Sequence, residues 1–83
     1  MAEKEVYEAL SEVLVERLRV DPAQIRPDAD LFEDIGLDSI DMMTAVMAVE
    51  ERFGIEVSDK EVEKVRTLAQ AAELLSSKVA ANV

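Results

Sequence analysis

Ser39 is the residue of this 83-residue chain whose type and position best suit chemistry. It follows Asp38 and precedes a helix-forming segment, so its hydroxyl is expected in the first turn of a helix. The chain contains no His and no Cys, which excludes a Ser-His-Asp triad, a Cys-His dyad and a His/Cys zinc site. Ser39 therefore lacks the base that would make it a nucleophile for catalysis. Its hydroxyl can instead accept a group that another enzyme attaches.

The local context of Ser39 suits an attached anion. A serine beside a helix start usually acts as the N-cap, but Asp38 already fills that role and leaves the Ser39 hydroxyl free. A phosphoryl group on this hydroxyl would lie against unpaired helix N–H groups, at the positive end of the helix dipole. The residues alone leave open whether Ser39 is a phosphorylation switch or the acceptor of another group.

Acidic residues surround this serine. The chain has 19 acids, 9 bases and a net charge of −10, and between Arg26 and Arg52 it has eight acids and no base. These acids are Asp28, Asp30, Glu33, Asp34, Asp38, Asp41, Glu50 and Glu51. A charge of this sign argues against nucleic acid and anionic membranes as partners. A run of acids is most often a solvated face.

The length predicts a single domain that spans residues 1–83, with frayed extreme termini. Without Cys, a packed helical core must stabilise it. Residues 1–20 are acidic and contain no apolar run, so neither a signal peptide nor a transit sequence is expected, and no segment reaches transmembrane length. We expect a cytoplasmic monomer that does not insert into membranes.

Helical periodicity begins near the amino terminus and predicts an amphipathic helix from about Glu3 to Arg19. Asp21-Pro22 is expected to end it, since a proline disfavours helical geometry in the residue before it. The region from Val20 to Asp38 lacks this periodicity and is expected to form a long loop, of a kind that is often functional. Its predicted apolar anchors are Ile25, Leu31, Phe32, Ile35 and Leu37.

The second helix is predicted from Ser39 to Phe53, with Asp38 as N-cap and Gly54 as its stop. At about 100° per residue, its apolar side chains form two stripes on opposite faces. The inner stripe, expected to face the core, comprises Met42, Ala45, Val46, Val49 and Phe53, and the outer stripe comprises Ile40, Met43 and Met47. Methionines suit surfaces that accept several partners. The pattern leaves open whether the outer stripe is buried or exposed.

Two capping boxes predict the remaining helices. Ser58 and Glu61 open a short third helix from Asp59 to about Val65. Thr67 and Gln70 form a second capping box before a last helix. This helix is expected to fray at its final residues, Ala80, Ala81, Asn82 and Val83. No strand pair is predicted. The expected fold is all-α, a small four-helix bundle with a long loop between its first two helices.

A longer motif surrounds Ser39. It runs Leu31-Phe32-Glu33-Asp34-Ile35-Gly36-Leu37-Asp38-Ser39-Ile40-Asp41 and is followed by a helix that ends Val49-Glu50-Glu51-Arg52-Phe53-Gly54. In this run, and in the helix layout, size and charge that agree with it, the chain resembles an acyl carrier protein. The resemblance covers most of the chain from Leu31 to Leu75. Ile40 departs from the usual Leu, and Met43, Thr44 and Arg52 stand where bacterial fatty-acid carriers often have more acid.

The resemblance implies that a separate transferase esterifies Ser39 with 4′-phosphopantetheine from coenzyme A. The thiol of this arm would carry acyl groups as thioesters, and the chain itself would be a carrier and not an enzyme. Partner enzymes with basic patches would read the second helix, through Ile40, Asp41, Met43, Met47, Glu50 and Glu51. The core would open between helices to shelter the acyl chain. Fatty acid biosynthesis is the favoured pathway.

Other functions remain open at this point. The chain could be a polyketide or peptidyl carrier, or an unmodified acidic helical interaction module. A divalent-cation loop is a weaker alternative, because Phe32 and Glu33 stand where an EF-hand needs an oxygen ligand and a glycine. We therefore predict no metal site.

Overall fold

The computed structural model describes residues 3–81. The helices are α1 (Glu3–Leu18), α2 (Ser39–Phe53), α3 (Asp59–Glu63) and α4 (Leu68–Ala81), and a short 3-10 helix covers Pro22–Gln24. Within this part of the chain no strand forms, although Asp30 and Thr67 make an isolated antiparallel bridge. The predicted all-α bundle of four helices, with a long loop before its second helix, is confirmed.

The end of α1 differs from the prediction. The helix stops at Leu18, because Arg19 adopts a left-handed conformation with φ of 57°. The chain then reverses, and the Val20 N–H donates to the Leu14 carbonyl at 3.1 Å. The prediction that Asp21-Pro22 ends this helix is wrong, because Pro22 instead begins the 3-10 helix and Asp21 caps it.

Both ends of α2 are confirmed. Asp38 is the N-cap, and Gly54 has φ of 65°, the left-handed conformation that a residue without Cβ adopts most readily. The N–H of Ile55 donates to the Glu50 carbonyl at 3.2 Å, which satisfies one of the last acceptors of the helix. The bounds of α2 are therefore set by interactions within a few residues.

Both predicted capping boxes form, but α3 is shorter than predicted. It ends at Glu63, because the N–H groups of Lys64 and Val65 donate to carbonyls three residues back in a tighter turn. The Thr67 hydroxyl and the Gln70 side chain each accept from the other's backbone before α4. Ala80 and Ala81, expected to fray, belong to α4. The remaining expected frayed residues, Met1, Ala2, Asn82 and Val83, lie outside the described residues.

The core lies where α1 packs against α2 and α4. Val6, Leu14 and Leu68 are its most deeply buried large side chains. The long loop contributes to the same core, but not through all of its predicted anchors. Leu31 and Leu37 are buried and Ile25 and Ile35 are half-buried, whereas Phe32 is 41% exposed and is not an anchor.

Candidate functional site

Ser39 is the first residue of α2, and its side chain is exposed. Among residues 3–81, its hydroxyl has no hydrogen-bond partner, and the Ser39 and Ile40 N–H groups have no acceptor. These two N–H groups are at the positive end of the helix dipole, where an anion is stabilised. The structure therefore gives Ser39 the free hydroxyl and the anion-favouring surroundings that its position predicts.

The residues on either side of Ser39 hold the helix start in place. The Asp38 carboxylate accepts from the Asp41 N–H at 2.8 Å, and the Asp41 carboxylate accepts from the Asp38 N–H at 3.2 Å. This reciprocal pair is a capping box built from two aspartates. Asp38 is confirmed as the cap, and Asp41 has a structural role that the sequence analysis missed. An acid three residues after the cap was the available signal.

The two apolar stripes of α2 have different surroundings. In the inner stripe Ala45 and Val49 are buried, and the other three side chains are half-buried. In the outer stripe Ile40 is 73%, Met43 65% and Met47 64% exposed. The question that the pattern leaves open is thus answered, because the outer stripe faces solvent. Exposed large apolar side chains in a row typically mark an interaction surface.

Acids border the outer stripe, but they are not equivalent. The Glu50 carboxylate is half-buried and accepts from the Val57 N–H at 2.9 Å, which ties the end of α2 to the segment before α3. Asp41 is occupied by the capping box. Glu51 is exposed and has no hydrogen bond or ion pair among the described residues. Of these acids, Glu51 is the one whose charge is wholly available to a partner.

An open groove lies beside Ser39, between α2 and α3. Ser39 lines it together with Phe32, and the outer-stripe residues Met43 and Met47 line it along α2. Phe32 belongs to this surface and was missed as a site residue by the sequence analysis. The signal was the turn that begins at Asp30, whose carboxylate accepts from the Phe32 N–H at 2.8 Å and leaves the aromatic ring pointing away from the core.

Behind α2 is an apolar cavity of about 50 Å³. Helix α2 contributes Met, Ala and Val side chains to it, α3 contributes only Val62, and α1 and α4 contribute mainly Leu. The lining residues are Leu10, Leu14, Leu31, Leu37, Met42, Ala45, Val46, Val49, Val57, Val62, Val65, Ala71, Leu74 and Leu75. The cavity is smaller than the roughly 150 Å³ that admits benzene in an engineered core, so in this conformation it holds no long chain.

Two acids of the long loop and one of α3 are paired with bases that are distant in the sequence. The Asp30 carboxylate accepts from the Glu33 N–H and from Arg66, and these hydrogen bonds lower the pKa of Asp30. Arg66 also lies 3.4 Å from the Glu33 carboxylate. Glu61 of α3 pairs with Lys78 at 2.8 Å, and this contact, with the Ser58 hydrogen bonds, lowers the pKa of Glu61 to about 2.

The described part of the chain lacks the features of two other classes of site. Between residues 3 and 81, no three His, Cys, Asp or Glu side chains are grouped so that they could hold a metal ion. In the same range, no helix combines the length and the apolar character that crossing a membrane requires.

Comparisons with known proteins agree with this geometry. Residues 8–75 match the family described as "phosphopantetheine attachment site". A Guillardia theta protein named "acyl carrier protein" is 42% identical over 81 residues, which are 98% of this chain and all of that protein. A Thermosynechococcus vestitus protein of the same name is 37% identical over the same shares. The structure of a Thermotoga maritima acyl carrier protein has the same fold, with a TM-score of 0.85, 23% identity and coverage of 98% of this chain and 94% of that chain.

Proposed function

Because the chain belongs to the phosphopantetheine-attachment family of acyl carrier proteins, we propose that Ser39 is the residue that carries its 4′-phosphopantetheine arm. The observation that supports this most directly is the exposed Ser39 hydroxyl, which has no hydrogen-bond partner within residues 3–81. It lies in the Gly-x-Asp-Ser motif formed by Gly36, Leu37, Asp38 and Ser39.

The residues around Ser39 fit a phosphate-linked arm. The Ser39 oxygen would form the phosphoester, and the free Ser39 and Ile40 N–H groups would lie beside the phosphate. Asp38 would keep the helix start rigid through the capping box. When attached, the arm supplies a thiol, which a chain without Cys does not have.

With this arm the chain would carry acyl intermediates as thioesters and present them to the enzymes of fatty acid biosynthesis. It would act as a carrier and not as a catalyst, which agrees with a sequence that has neither His nor Cys. The apolar cavity would shelter part of the acyl chain once the helices separate. Polyketide and peptidyl carriers are the alternatives within the same family.

The partner enzymes would dock on the exposed face of α2. They would include the phosphopantetheinyl transferase and the enzymes that load, elongate and modify the acyl chain. The outer stripe offers exposed apolar contacts, and the acids beside it would attract basic patches. The proposed partner-binding residues are Ile40, Asp41, Met43, Met47, Glu50 and Glu51. Phe32 joins them because it lines the same groove.

We also propose that the chain functions as one monomeric domain in the cytoplasm. Its acidic, cysteine-free composition is compatible with a reducing compartment.

Incubation with coenzyme A, magnesium and a broad-specificity transferase tests the assignment of Ser39. Wild-type protein should gain the mass of one arm, and Ser39→Ala should gain none. Ser77→Ala is the matched control, since Ser77 is an exposed serine of α4 without the motif, and it should be modified like wild type. Modification of Ser39→Ala, or its loss in Ser77→Ala, would contradict the assignment.

A further inference from the structure

Helix α3 lies against the bundle without a fully buried residue of its own. None of its residues, Asp59–Glu63, is buried. At its start the Val57 N–H donates to Glu50, and in its middle Glu61 pairs with Lys78 of α4. Apart from the buried Val65 that follows it, the position of α3 therefore depends on hydrogen bonds and ion pairs, which are weaker and more easily exchanged with water than buried apolar contacts.

The segment after α3 is attached to the long loop. The Leu31 N–H donates to the Arg66 carbonyl at 2.9 Å, and the Leu68 N–H donates to the Ala29 carbonyl at 3.1 Å. The Arg66 side chain reinforces this attachment, because its guanidinium contacts the carboxylates of both Asp30 and Glu33. One cation thus bridges two acids of the part of the loop that follows Arg26, where the sequence has no base.

This attachment lies next to the apolar cavity. Val62 of α3 and Val65, the residue before Arg66, both line the cavity, and so does Leu31 from the loop side of the same contact. Separation of Arg66 from the loop would free the carboxyl-terminal end of α3. The valines would then move away from the cavity and enlarge its opening.

We infer that Arg66 is a latch, whose ion pairs with Asp30 and Glu33 set how often α3 moves away from the apolar cavity. The latch acts on the protein with or without an arm. Its consequence, control of how readily an acyl chain enters the cavity, rests on the function proposed above. Asp30 is oriented for this contact, because its other carboxylate oxygen accepts from the N–H groups of Phe32 and Glu33.

Amide hydrogen exchange on protein without an arm tests the latch. Arg66→Gln should accelerate exchange of the Leu31, Val65 and Leu68 amides by about two- to fivefold, the range expected for loss of exposed ion pairs. Amides inside α1, such as that of Leu14, should keep their wild-type rates. Arg66→Lys should give a smaller acceleration, since an ammonium group retains the charge but cannot bridge two carboxylates as a guanidinium does.

Lys64→Gln is the matched control. Lys64 is exposed, lies two residues from Arg66, carries the same charge and has no ion pair among the described residues. It should leave all of these rates unchanged. The latch is contradicted if Lys64→Gln and Arg66→Gln have equal effects, if Arg66→Gln accelerates α1 equally, or if it accelerates nothing. None of these outcomes depends on whether Ser39 carries an arm, so the two proposals fail separately.

Discussion

The two sides of α2 are built by different interactions. The side that faces α1 and α4 is closed by buried apolar side chains such as Val49, which is 3% exposed. The side that faces solvent and α3 exposes the outer stripe and is organised by capping boxes, the Glu50 to Val57 hydrogen bond and ion pairs. Burial of apolar area stabilises far more strongly than exposed charges do. Stability is therefore concentrated on one side of the helix, and the exposed, charge-organised side is left available for modification and partner contact.

The largest expected effect on stability comes from truncating a buried residue of α2, compared with the same truncation of an exposed one. Val49→Ala should lower the free energy of unfolding by about 2 kcal/mol, because it removes buried methyl groups and leaves a space. Met47→Ala should change it by less than about 0.5 kcal/mol, as is usual for exposed positions. Urea unfolding measures both. Equal destabilisation by the two substitutions would remove the distinction between the two sides.

Met47→Ala also tests the comparison in a functional assay. Met47→Ala should slow modification by the transferase and loading by an acyl-transferring enzyme, although it barely changes stability. The expected cause is loss of an exposed apolar contact on the proposed docking surface. Wild-type rates for a folded Met47→Ala variant would indicate that partners bind elsewhere on the bundle.

Charge reversal distinguishes an acid that stabilises the fold from an acid that is available to partners. Asp41→Lys should destabilise the fold by about 1 kcal/mol, because it breaks the capping box and places a cation at the positive end of α2. Glu51→Lys should leave stability nearly unchanged and slow partner association, with a loss that shrinks as salt rises. Thermal unfolding and transferase kinetics at low and high salt distinguish the two. A salt-independent loss for Glu51→Lys would contradict a steering role.

Sequence reasoning succeeded where the interactions are local. The bounds of α2 follow from Asp38 and Gly54, which cap it within a few residues, and the capping boxes of α3 and α4 are equally local. The choice of Ser39 as the candidate site residue rests on equally local features, since its motif and its helix position are contiguous in the chain, and its modification stays a prediction.

Sequence reasoning failed where the structure depends on contacts between residues that are distant in the chain. Arg66 neutralises Asp30 although 36 positions separate them, and no pattern near either residue indicates this pairing. The end of α1 depends on the left-handed conformation of Arg19, which its residue type does not favour. Exposure of the outer stripe depends on how closely α3 approaches α2. Helical periodicity carries no information about that distance.

Lowering the pH should weaken the Glu61–Lys78 ion pair, which helps to hold α3 in place. The pKa of Glu61 is lowered from 4.5 to about 2 by Lys78 and Ser58, so its stabilising contribution is present above about pH 4.5 and is lost as the pH falls towards 2. Glu61→Gln keeps a capping-box side chain but removes the charge. The stability difference between wild type and this variant should be largest near neutral pH and should shrink below about pH 4. A difference that is constant with pH would mean that the ion pair with Lys78 does not stabilise the fold.

Salt should produce the smallest effect. Because the net charge is −10, added sodium chloride or millimolar divalent cations should raise the melting temperature by screening repulsion among the acids. Val49→Ala should show the same salt dependence as wild type, since Val49 carries no charge and its substitution changes none. Melting that ignores salt would show that the acids do not repel one another appreciably in the folded state.

The intact mass of the protein purified from its native host tests the central claim most directly. We predict a species heavier than the bare chain by one phosphopantetheine arm, or by the arm with an acyl group, and peptide fragmentation should place the addition on Ser39. An addition with the mass of phosphate alone would indicate a phosphorylation switch. That result, an unmodified chain, or an arm on any other serine would contradict the account.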